Sequence, residues 1–121
     1  MNKINIFQET MDLQIKAREI GLDWLEVKGI IDKIKEETLE VEEAINDNNA
    51  NAIKEELGDL IFTYLCLARH LKFNPEEIID SANIKFKKRL NLVLDIMKKE
   101  NKDFANPKEM EKYWRAIKNQ N

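Results

Sequence analysis

Residues 36–59 read EETLEVEEAINDNNANAIKEELGD and hold two acidic clusters, Glu36-Glu37-x-x-Glu40 and Glu56-x-x-Asp59. In each, two carboxylates stand three residues apart, which on a helix puts them on one face about one turn apart. A polar turn separates the clusters. Two such helices packed antiparallel can aim four carboxylates at one point. Like charges held that close repel unless a cation sits between them. All-oxygen, strongly anionic ligation suits Mg²⁺ or Mn²⁺ rather than Zn²⁺.

The elements that must position these acids are helices. Apolar spacing predicts one helix over residues 3–20, with Ile6, Met11, Leu13, Ile15, Ala17 and Ile20, stopped by Gly21. Residues 21–29, GLDWLEVKG, read as a connection between two glycines. Trp24 within it is either a plug on the core or a ring lining a pocket, and composition favours the plug. A second helix is expected over Ile30–Ile45. On a helical wheel Ile30, Ile34, Val41 and Ile45 form its apolar stripe, flanked by Ile31, Thr38 and Ala44. Glu37 falls inside that stripe and Glu40 on its edge, while Glu36, Glu43 and Leu39 point away. A carboxylate inside an apolar stripe is costly to bury unless it is paired or metal-bound.

NDNNAN, residues 46–51, is a turn rich in residues that cap helices and accept left-handed backbone. A third helix is expected over Ala52–Leu71, with Ile53, Leu57, Leu60, Tyr64, Leu67 and Leu71 as its stripe and Ile61, Phe62 and Leu65 widening it. A helix apolar nearly all round is central or lies in a subunit interface. Glu56, Asp59 and Thr63 sit on one flank. Gly58, in mid-helix, costs roughly 1 kcal/mol against alanine, which suggests that another backbone approaches it.

Asn74-Pro75-Glu76-Glu77 is a helix start, and the helix it opens should run to about Lys99. Its stripe holds Ile78, Ile79, Ala82, Phe86, Leu90, Val93 and Met97. Arg89 falls within it, with Asn83 and Lys85 flanking on opposite sides. A guanidinium on an apolar face needs an anion, either a carboxylate of the protein or a ligand's phosphate. Asn106-Pro107 opens a short fifth helix carrying Met110, Tyr113, Trp114 and Ile117.

The 121 residues suit one domain, and with only three Gly and two Pro the natural class is all-α, a bundle of four or five helices. The generous apolar area points to a homodimer or higher homo-oligomer. No run approaches the ~18–20 apolar residues of a membrane span, and the N-terminus lacks a signal-peptide core, so a cytoplasmic protein with no membrane partner is expected. The net charge of −3 argues against a nucleic-acid surface. Cys66, between Leu65 and Leu67, reads as a buried inert thiol. His70, the single histidine, reads as a surface or satisfied residue, and histidine-based metal ligation is excluded.

The segments DKIKEETLEVEEAI, EELGDLIFTYLCLARHL and NPEEIIDSANIKFKKRL, with LQIKAREIGLDW upstream and MEKYW downstream, resemble the MazG-type nucleoside triphosphate pyrophosphohydrolases, most of all the C-terminal repeat of tandem-domain members. The resemblance covers most of the chain. It implies an all-α, usually dimeric or tetrameric, Mg²⁺-dependent enzyme. Such an enzyme cleaves a nucleoside triphosphate between the α and β phosphorus atoms, releasing a monophosphate and pyrophosphate. By motif, Glu37, Glu40, Glu56 and Asp59 are the implied metal ligands and Glu36 a further catalytic acid. Lys85 and Arg89 match phosphate-contacting positions, with Asn83 beside them, Trp114 matches a nucleotide contact, and Trp24 and Lys28 a segment near the base. Two other readings of the residues stand beside this one. They are a non-catalytic helical interaction module with an acidic face, and a hydrolase of non-nucleotide or modified pyrophosphates.

Overall fold

A computed structural model describes residues 5–119. Among them are five helices and no strand: α1 (Ile6–Glu19), α2 (Val27–Asn46), α3 (Ala50–His70), α4 (Pro75–Lys99) and α5 (Pro107–Lys118). The all-α expectation holds. The chain forms two compact units, Met1–Glu77 and Ile78–Asn121.

In the first unit α2 and α3 are joined by three residues and form an antiparallel hairpin, with α1 laid against α3. Its core is Ile30, Ile34 and Cys66, with Leu60 and Leu67 packed on them. The helix ends follow one chemistry. Gly21 (φ +88°) ends α1 with its N–H on the Arg18 carbonyl and the Leu22 N–H on that of Ala17. This is the six-to-one, five-to-two pattern that a left-handed residue makes possible. Asn48 (φ 52°) repeats it after α2, and Asn49 then caps α3 by accepting from the Ala52 N–H at 3.1 Å. After α3 the left-handed position is held by Lys72 (φ 65°), a residue that gains nothing from it.

Three expectations need correcting. First, α2 begins at Val27, so Lys28 and Gly29 lie in its first turn rather than in the connection. Gly29 is there for close packing: a Cβ on it would stand 3.0 Å from Cε3 of Trp24. Second, the buried stripe of α2 runs through Ile30, Ile34, Glu37 and Ala44, while Ile45 is exposed. The packing partner α3 draws the stripe toward the side that carries Glu37. Third, a Cβ on Gly58 would meet nothing within 4 Å, so no backbone among the described residues approaches it, and nothing in the structure explains this glycine.

In the second unit α5 returns along the end of α4. Tyr113 and Ile117 are its buried residues, and Met97 is buried on α4. Asn106 closes a capping box, its side chain accepting from the Glu109 N–H at 2.9 Å while Glu109 accepts from the Asn106 N–H at 3.3 Å. The Tyr113 hydroxyl donates to Glu100, and Lys102 pairs with Glu109.

Candidate metal and phosphate site

The hairpin register decides which acids meet. Glu37 on α2 and Glu56 and Asp59 on α3 each bring a carboxylate oxygen within 4.8 Å of the others. They form a graded set: Glu37 is buried at 5% exposure, Glu56 half-buried and Asp59 exposed. Glu40, half-buried one turn along α2, closes on Glu56. Glu36 points outward with its side chain 58% exposed and pairs with Lys33 at 3.4 Å.

One oxygen of Glu37 receives the Lys33 ammonium at 3.1 Å. The other, Oε2, is buried without a hydrogen-bond partner, and so is Oε2 of Glu56. Buried carboxylate oxygens are seldom left so, because each costs a desolvation penalty. Two of them within one three-acid cluster fit a hard divalent cation ligated by oxygen. The exposed Asp59 leaves the outer side open to a ligand.

The protonation pattern reports the same crowding. The neighbouring Glu40 carboxyl, then desolvation and the Glu37 carboxyl, push Glu56 up to about 7. Burial works to raise Glu37 as well, but the Lys33 ion pair and the carboxyls of Glu56 and Glu40 outweigh it, and Glu37 is lowered. The crowding therefore favours the charged form of Glu37 and the protonated form of Glu56.

Asn83, Lys85, Arg89 and Trp114 lie in the second unit. Asn83 and Lys85 are exposed on α4. Arg89 is half-buried, with its guanidinium carbon 5.8 Å from the centre of the Trp114 ring and its Nε buried without a partner. Trp114 also packs on Phe86 at 5.7 Å. The two rings line an open apolar groove of about 1090 Å³ with Leu90, Val93 and Met110.

Trp24 is not the core plug that composition favoured but a ring lining a pocket. Its ring packs on Gly29, yet it is 41% exposed and lines a pocket of about 510 Å³ with Leu13, Leu22 and Phe62. Lys28 is exposed and pairs with Asp32 at 3.1 Å.

Two groups of residues escaped sequence reasoning. Lys33 is one; its place four residues before Glu37 was the available signal. The other is a polar network beneath the Trp24 pocket. Arg69 donates to both Asp23 oxygens at 3.0 and 2.8 Å and through Nε to Gln14 Oε1 at 3.0 Å, and Gln14 donates to the Phe62 carbonyl at 3.0 Å. His70 Nε2 lies 3.1 Å from both Asp23 oxygens, so the histidine is satisfied as expected. Arg69 foremost, with His70, holds the Asp23 carboxyl well below the usual range against the opposing effect of burial. Cys66 is buried beside them, and burial pushes its thiol up. Asp23, Cys66 and His70 also stand within metal-ligand spacing, but Asp23 is already taken by Arg69.

Fold and site together define an all-α chain whose α2–α3 hairpin carries a cluster of carboxylates that could hold a cation. Residues 26–94 match the MazG nucleotide pyrophosphohydrolase domain. The chain is similar to the nucleoside triphosphate pyrophosphohydrolase/pyrophosphatase MazG of Thermotoga maritima, 33% identical over 88 residues, which covers 73% of this chain and 33% of that protein. It is likewise similar to the nucleoside triphosphate pyrophosphohydrolase of Escherichia coli K12, 32% identical over 114 residues, 89% of this chain and 43% of that protein. This chain belongs to the MazG nucleotide pyrophosphohydrolase domain family. It spans between a third and a half of the length of these curated relatives. No helix among the described residues is long and apolar enough to cross a membrane.

Proposed function

We propose that the chain hydrolyses nucleoside triphosphates between the α and β phosphates, giving a monophosphate and pyrophosphate. The observation that carries this reading is the pair of unpartnered buried oxygens on Glu37 and Glu56, which converge with Asp59 in a chain of this family. Glu37, Glu40, Glu56 and Asp59 would hold Mg²⁺, or Mn²⁺ in its place. Bound there, the cation supplies neutralisation of triphosphate charge and acidification of a water.

The chain's own residues do the rest. Glu36, outside the cluster and open to solvent, takes the proton of the attacking water. Lys85 and Arg89, with Asn83 beside them, bind phosphate oxygens and offset the charge that develops on pyrophosphate as it leaves. Arg89 suits this role because its unpartnered Nε and its fixed charge await an anion. Trp114 braces Arg89 and contacts the nucleotide, and Trp24 and Lys28 serve the base end. No covalent nucleophile takes part. Leu57, Ile61 and Tyr64 form one exposed apolar face of α3, 42–55% exposed, which supports self-association as a homodimer or larger homo-oligomer. The charge of −3 supports a partner list without nucleic acid.

Incubation of purified protein with dGTP, dCTP, dUTP and ATP plus Mg²⁺, with products identified, tests the reading. Monophosphate and pyrophosphate are expected. Orthophosphate with a diphosphate, or no turnover, refutes it in favour of another phosphatase chemistry or of an interaction module. Glu40→Gln should abolish turnover while the helical circular dichroism stays intact.

A further inference from the structure

Lys33 stands four residues before Glu37, one turn ahead of the acidic cluster. Among the described residues it is the only basic side chain within ion-pair distance of the carboxylate cluster, touching Glu37 at 3.1 Å and Glu36 at 3.4 Å. Its partner is 6% exposed while Lys33 itself is 34% exposed. The contact thus has a buried anion at one end and a flexible stem open to water at the other. An ordinary surface pair of this spacing would have both ends in solvent, as Lys28 and Asp32 do at 81% and 56%. One Glu37 oxygen is occupied by the ammonium and the other is unpartnered.

A divalent cation drawn into this cluster meets the ammonium across a single carboxylate group. Cations that close repel, and in a half-buried site water screens the repulsion only in part. Glu37 cannot serve both fully, and the side chain able to withdraw is Lys33, whose four-carbon stem reaches solvent.

We propose that Lys33 is a resident counter-cation of the metal site, paired with Glu37 while the site is metal-free and leaving it when a divalent ion binds. This rests on the metal reading given under Proposed function. Lys33 is therefore a positioning residue that sets the threshold of metal occupancy by competing for one ligand. It does not scaffold the loaded site.

The sign of one measurement decides the matter. Mn²⁺ is titrated into the full chain without nucleotide, with free ion followed by electron paramagnetic resonance, for wild type, Lys33→Met and Lys33→Arg. Lys33→Met removes a competing charge and should bind Mn²⁺ about three- to tenfold tighter. Lys33→Arg keeps the charge and should match wild type. Equal or weaker binding by folded Lys33→Met overturns the proposal, since a supporting residue would lower affinity when lost. Should Lys33→Met not fold, the wild type still answers. The ordered Lys33 ammonium signal in nitrogen-15 NMR should become solvent-averaged on adding Mg²⁺, and an ion pair that persists at saturation overturns the idea. Wild-type protein that takes up no Mn²⁺ overturns the metal site itself, and this inference with it.

Discussion

Replacing Arg69 by Met tests how the first unit holds its parts together. The side chains of Arg69 and Asp23 are 7% and 13% exposed, and three of the guanidinium's hydrogen bonds reach Asp23 and Gln14. Met keeps most of the stem volume and removes the charge. Asp23 is then left buried with His70 and a long Cys66 thiol contact at 4.0 Å as its remaining side-chain partners, and Gln14 Oε1 loses its donor. Removing one member of a buried pair costs roughly 3–5 kcal/mol, and the surviving His70 contact places this case near 3. For a chain of 121 residues that corresponds to a fall in Tm of about 10–15 °C. Urea unfolding followed by far-ultraviolet circular dichroism, metal-free at neutral pH, reads the loss directly. The double variant Asp23→Leu/Arg69→Met removes both charges and should recover most of it, because an apolar pair escapes the desolvation cost. A loss below about 1 kcal/mol in the single variant would refute the reasoning, showing that the network adds little to what packing already supplies.

Three further outcomes follow from the same structure. Glu37→Met should abolish Mn²⁺ binding while the helical circular dichroism of the metal-free protein stays intact, since Lys33, 34% exposed, can return its ammonium to water. The raised Glu56 makes the metal-free fold pH-sensitive. Its folded pKa of about 7 exceeds the ordinary value of 4.5, so the folded state binds the extra proton. That contribution is complete below about 4.5 and is lost as pH rises through 7, so metal-free Tm should fall from about pH 5 to 7.5. Saturating Mg²⁺, taking the proton's place, should flatten the curve, and a metal-free Tm that rises over this window contradicts the assignment. Lys72→Gly should raise stability by about 1 kcal/mol in urea unfolding, because glycine accepts the left-handed backbone that lysine holds at a cost.

Much of the hairpin was legible because helix geometry is local. A spacing of three residues puts Glu37 with Glu40, and Glu56 with Asp59, on shared faces whatever the helices later pack against. Asn and Gly at the ends of α1 and α2 marked left-handed stops through their own chemistry. The acid-bearing faces and the Arg89 position also carried the family resemblance. The start of α2 was misplaced because Gly29 looks like a boundary in one dimension and serves as a contact surface for Trp24 in three. The rule that flagged Arg89, a guanidinium among apolar residues needing an anion, applied equally to Arg69 in LCLARHL. Its anion, however, lay 46 residues away in a connection, and sequence spacing carries no information about such a pairing.

What the sequence by itself determined is the helical class, the existence of two acid-bearing faces, and the inward aim of Glu37, all consequences of a 3.6-residue period acting on side-chain polarity. Only the tertiary structure decided which oxygens were left without partners, that Lys33 stands against Glu37, and that Asp23, Gln14 and Arg69 lock α1 to α3. Packing register and burial choose among the contacts that local periodicity allows. The environment of a carboxylate is set by what the other helix brings to it.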